Sequence, residues 1–170
     1  MIDFRFFPRV ARMLSLLLLP LAADAWAGSA DGLWKEAPPE SILARDGGER
    51  LLFPRVYKVV ALDYTAFKTL VAKAPLEFTP AAAQPLVLTL PLPDGSYARF
   101  ALVESRIMDA ALAARLPDVR TYRAQGIDDP AATARLDYTP EGFHGFILSP
   151  AGTVYIDPYR RGDTTNYLTY

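Results

Sequence analysis

The 170-residue sequence has no cysteine and a single histidine, His144. Without cysteine there are no disulfides, no thiol nucleophile and no thiolate ligand for a metal. One histidine rules out the H-E-x-x-H zinc site, which needs two imidazoles one helical turn apart. There is no G-x-S-x-G elbow to hold a serine on a strained turn. A Ser–His–acid arrangement around His144 is therefore only formal, because nothing brings its three members together. Net charge is close to zero, at −1, so no overall field draws nucleic acid or anionic membrane. No repeat of fixed period is present. The sequence is expected to carry no catalytic, cofactor-binding or metal-ligating residue, and to need no cofactor.

What is present is an ordinary globular balance, with 51% apolar and 22% charged residues. Fifteen prolines and ten glycines point to many turns and short elements. The N-terminus reads as a secretory signal peptide over residues 1–27. Arg5, Arg9 and Arg12 lead into the apolar run Met13–Ala23, and Ala25-Trp-Ala27 fits an A-x-A cleavage site, with Ala23-Asp-Ala25 competing. That run falls short of the roughly 20 residues that span a bilayer, so membrane contact is expected only during export. The mature chain is accordingly expected to be secreted or periplasmic.

Residues 28–50 read as an extended lead-in, broken by Pro38-Pro39 and Asp46-Gly-Gly48, with Leu33, Trp34 and Ile42 able to dock. Residues 51–170 read as the domain. Alternating β-branched residues and tyrosine after Leu51 predict a strand over 56–61. Asp63 or Thr65 is placed to cap a helix running to Lys73, with Phe67, Leu70 and Val71 on one face. Asp94-Gly95 sits between two strand patterns as a tight hairpin turn, with Phe100 and Leu102 inward and Arg99 and Glu104 nearer water. Asp109 caps a second short helix that Pro117 stops. Strands are predicted at 120–124, 133–138, 143–148 and 153–156, the last two joined by a turn at Ser149–Gly152. Tyr167–Tyr170 is strand-like, with no partner evident and a liability for pairing with another chain. The fold class expected is α+β and β-rich, an antiparallel sheet or sandwich of hairpins with two short helices.

Asp128-Asp129-Pro130 reads as a capped turn, since one carboxylate pair is too few ligands for calcium. Asp157-Pro158 reads as a strand exit, and Arg160-Arg161 as a solvated spot. The aromatics Tyr122, Tyr138, Phe143, Phe146, Tyr155 and Tyr159 crowd the last third, either filling the core or forming a docking surface.

Taken in order, several of these stretches carry a resemblance. They are Phe100-Ala-Leu-Val-Glu104-Ser105; Leu116-Pro-Asp-Val-Arg-Thr-Tyr122-Arg-Ala-Gln-Gly126-Ile-Asp128-Asp129-Pro130; Gly142-Phe143-His144-Gly145; and Thr153-Val-Tyr155-Ile-Asp157-Pro158-Tyr159. The set resembles the N-terminal pro-region of secreted bacterial reprolysin-like (adamalysin-type, metzincin) zinc metalloproteases, over roughly residues 95–170. Ala124 stands where the resemblance expects glycine. The resemblance implies a pro-domain that helps a protease fold and covers its cleft sterically, with the metalloprotease catalytic domain as partner in cis or in trans. The family's H-E-x-x-H-x-x-G-x-x-H motif has no counterpart here, so the chain itself is not expected to be an enzyme. It is expected to be a truncated precursor, a pseudogene product or a separately encoded module. In this reading His144 and its neighbouring glycines belong to the fold. The alternative is a free-standing periplasmic or extracellular module that binds a protein or peptide.

Overall fold

A computed structural model describes residues 28–37, 42 and 49–170. The expected signal peptide and the breaks at Pro38-Pro39 and Asp46–Gly48 lie outside the described residues. Among the described residues nine strands form one antiparallel sheet: β1 (Trp34–Glu36), β2 (Lys58–Leu62), β3 (Leu86–Pro91), β4 (Tyr97–Glu104), β5 (Arg120–Gly126), β6 (Thr133–Thr139), β7 (Gly142–Ser149), β8 (Gly152–Pro158) and β9 (Asn166–Thr169). Helix α1 spans Tyr64–Val71 and helix α2 spans Ala110–Arg115. Of the two arrangements expected, the chain adopts a single sheet.

The strand order is β1-β2-β9-β8-β7-β6-β5-β4-β3. From β3 to β9 the chain is an up-and-down meander, and β2 and β1 then extend its far edge. The sheet curls until its two edges almost meet. Trp34 Nε1 donates to the Thr89 carbonyl (2.9 Å), and the Thr89 N–H donates to Asp31 Oδ2 (2.9 Å). These bonds satisfy the outward backbone groups of Thr89 on edge strand β3, which would otherwise invite pairing with another chain.

Alternation then decides what faces inward. Val60, Leu88, Leu90, Phe100, Leu102, Tyr122, Leu136, Phe143, Ile147, Ile156 and Tyr167 share one buried interior cluster. Each large apolar side chain buried this completely contributes roughly 1.5–3 kcal/mol. Helix α1 closes one end of the barrel. Asp63 caps it by accepting from the Ala66 N–H (2.9 Å), and Phe67 and Val71 point into the interior. Phe67 meets Phe143 edge-on at 4.9 Å, while Trp34 meets Phe143 at 5.8 Å and Tyr167 at 5.7 Å. The four rings pack as one plug, edge to face, the arrangement their quadrupoles prefer.

The lead-in docks as expected, with Leu33, Trp34 and Ile42 all buried, and it also supplies strand β1. A smaller apolar cluster, Ala37, Ile42, Val59, Tyr159 and Leu168, lies on the opposite face of β2 and β9. Two expectations need correcting. Tyr167–Tyr170 is not a stranded tail, because β9 pairs with β2 on one side and β8 on the other, and all four of its residues are buried. Glu104 is not a water-facing residue either. Arg106 and Arg120 each donate to its Oε1 at 3.0 Å, and only 13% of its side chain remains exposed.

Candidate binding site on the outer face

The structure separates the family-signature residues into four places. Tyr122, Gly142, Phe143 and Gly145 belong to the interior or to backbone packed closely against it. A Cβ on Gly142, whose φ is +131°, would stand 2.8 Å from Pro158 Cγ, and one on Gly145 would stand 3.2 Å from Ile156 Cδ1. These contacts give the glycines flanking His144 the close-approach role expected of them. Gly126, Asp128, Asp129 and Pro130 form the β5–β6 turn. There Asp129 Oδ1 accepts from the Ala131 N–H (2.9 Å), as a capped turn requires, and Asp128 instead holds Arg99. Glu104 ends β4 and Ser105 follows it, its carbonyl accepting from the Thr121 hydroxyl. His144, Tyr155 and Asp157 lie together on the outer face of β7 and β8, with Pro158 and Tyr159 at its border.

On that face the register places His144 beside Asp137 of β6 and near Asp157 of β8. His144 Nδ1 donates to Asp157 Oδ1 at 2.8 Å, because an ionised carboxylate can only accept. The Tyr170 hydroxyl donates to Asp157 Oδ2 at 2.9 Å, so both carboxylate oxygens are engaged. The bond to Asp157 raises the His144 pKa; burial opposes it, and the charges of Asp137 and Asp157 add to it. Burial pushes the Tyr170 phenol up to about 12, with the Asp157 bond adding to the effect. Burial likewise raises the Asp137 carboxyl. Asp157 thereby fixes the imidazole tautomer and leaves Nε2 as the edge a partner can reach.

Around this network the face is concave and apolar at its margins. Leu51 and Leu52 at the start of the domain, Pro158 and the Arg160–Gly162 turn enclose a depression of about 340 Å3 over His144 and Asp157. Glu141 and Arg161 form a loose ion pair on its rim (3.4 Å). Beside it runs a row of aromatic rings, with Phe146 5.4 Å from Tyr155 and Tyr155 stacked 5.6 Å from Tyr170. Tyr155 and Leu148 of these strands are exposed, as are Leu51 and Phe53 ahead of β2. The Arg50 guanidinium lies over Phe53 (4.8 Å) and Tyr159 (4.9 Å), tying lead-in to barrel.

Sequence reasoning did not foresee that Asp157 and Tyr170 join His144. The available signal was period two: His144, Phe146 and Leu148, like Tyr155 and Asp157, share parity on their strands. The aromatics divide accordingly. Tyr122, Tyr138, Phe143 and Tyr159 are buried, whereas Phe146 and Tyr155 face outward. Among the described residues no group of three or more histidine, aspartate or glutamate side chains is arranged to hold a metal ion. No helix among them is long and apolar enough to cross a membrane. Comparison with protein-family models, curated protein sequences and solved structures finds no match.

Proposed function

We propose that this chain is a secreted protein-binding module that serves as the pro-domain of a reprolysin-like zinc metalloprotease. It covers the catalytic cleft and assists folding of that domain. One observation carries the reading. Tyr170 stands in the outer aromatic row, with its backbone N–H and C=O both bonded to Tyr155 (3.0 and 2.8 Å). In a precursor of the resembled kind, a chain continuing past residue 170 leaves the barrel at this row. A following domain is thereby delivered to a face that exposes tyrosine, phenylalanine and leucine. Such residues anchor protein interfaces, and a polar network like His144–Asp157–Tyr170 fixes the orientation of what binds.

With no cysteine in the sequence, a zinc-capping thiolate is not available, so inhibition is steric. The test is direct. The purified mature chain is titrated into an active reprolysin-like catalytic domain, and activity is expected to fall in proportion to the chain added. Tyr155→Ala is expected to weaken inhibition by about tenfold or more, the scale of an aromatic anchor. Undiminished proteolysis at large excess of the chain defeats the proposal.

A further inference from the structure

Helix α1 plugs only one end of the barrel. At the other end the β3–β4, β5–β6 and β7–β8 turns ring a cavity of about 570 Å3. Its walls are inward-facing positions, among them Leu92, Ala98, Phe100, Ala132, Ile147 and Val154. The void has a cause in the sequence. Near the plug the interior is filled by Trp34, Phe67, Phe143 and Tyr167. Near the mouth, at Ala98, Gly126 and Ala132, the chain supplies little more than a methyl group. Small-molecule sites commonly measure roughly 300–1,000 Å3, and barrel mouths are one of their recurrent locations.

The rim supplies the charge. Arg99 Nη2 donates to Asp128 Oδ1 at 2.6 Å and the Arg99 backbone N–H donates to Asp128 Oδ2 at 2.7 Å, so this pair is internally neutralised. Nearby, Lys58 is taken by Glu36 at 3.3 Å. Asp94 and Asp129 also line the mouth, with only N–H and hydroxyl donors of their own turns bound to them. The mouth therefore joins an apolar wall to an excess of negative charge.

We propose that this cavity binds a small amphiphile with an apolar body and a cationic or uncharged head, and disfavours fatty-acid carboxylates. The site is inside the barrel and does not depend on the reading of the outer face. An apolar tail displaces water from the Phe100–Ile147–Val154 wall, while an ammonium head lies within reach of the Asp94 and Asp129 carboxylates.

The test uses the whole mature chain and the uncharged fluorophore N-phenyl-1-naphthylamine. One saturable site is expected, with dodecylamine displacing the dye at roughly tenfold lower concentration than dodecanoate, since like charge at the rim opposes the latter. Ala98→Trp and Val154→Trp, each filling the void, are expected to abolish binding, whereas Leu112→Ala, exposed on helix α2 away from the mouth, is expected to leave it unchanged. Should the filled variants lose their near-UV circular dichroism, hydrogen exchange on the unsubstituted chain decides. Dodecylamine is then expected to slow exchange in residues 97–100 and 153–156. The proposal is overturned by non-saturable dye uptake, by dodecanoate competing as well as dodecylamine, or by folded Trp variants that still bind. It is equally overturned if these residues are protected only when a metalloprotease domain is added, which assigns the mouth to a protein partner.

Discussion

The two ends of the barrel are built from the same strands and reach opposite outcomes. At the α1 end the inward positions are aromatic, and a capped helix presses Phe67 among them. At the other end, Tyr97 and Phe100 apart, the inward positions are alanine, glycine and branched aliphatics, and only turns cross the opening. Strand β7 shows the gradient within one segment, passing from Phe143, fully buried in the plug, to Ile147 on the cavity wall. Stability and opportunity for binding are thus divided along the barrel axis. The end that is filled holds the fold together, and the end left unfilled is free to take up something else.

Substitutions at the two ends sharpen or break that division. Phe143→Ala removes a ring touching Trp34, Phe67 and Tyr167, and is expected to cost about 3–5 kcal/mol in urea unfolding. Ile147→Ala, two inward positions nearer the mouth on β7, is expected to cost about 2 kcal/mol, the low end for its type, because it already borders open space. Equal losses at the two positions would contradict the division. Asp63→Ala removes the cap of the plugging helix and is expected to cost about 1 kcal/mol, with the loss concentrated in hydrogen-exchange protection of α1.

The smallest effect belongs to the outer face, which neither end includes. His144 has its pKa raised mainly by its bond to Asp157, so its stabilisation is fully present below the unfolded value of about 6.5 and is lost as pH rises through the folded value. The imidazole is 39% exposed and solvent screens the pair, so the expected loss between pH 6 and 8 is under about 1 kcal/mol. His144→Gln is expected to flatten that slope. An unchanged slope in the variant would remove His144 from the network's energetics.

Much of this architecture was legible in the sequence because it is local. Asp63 and Asp109 announce their helices through carboxylates that reach N–H groups two or three residues on. Asp94-Gly95 announces its turn, with Gly95 at φ +88°. Period-two alternation likewise placed Phe100 and Leu102 of β4 inward, and both are buried. What stayed hidden depends on distance. Strand β9 shows no alternation because it is covered on both faces, by the barrel interior and by the lead-in cluster, so nothing in its four residues names β2 and β8 as partners. Strand β1 is three residues long, too short for any period. The Asp157 site was misread as a strand exit alone, because Tyr170 reaches it only through a pairing thirteen residues removed.

The position of β9 has a consequence for how the molecule comes into being. Strand β2 emerges from the ribosome about a hundred residues before β9, the piece that joins it to β8. Without residues 166–169, strands β3–β8 form a six-strand meander with no pairing to the β1–β2 ribbon. Joining the two therefore waits on a pairing between segments about a hundred residues apart, the slow, non-local kind of step, completed by the insertion of four residues between two edges.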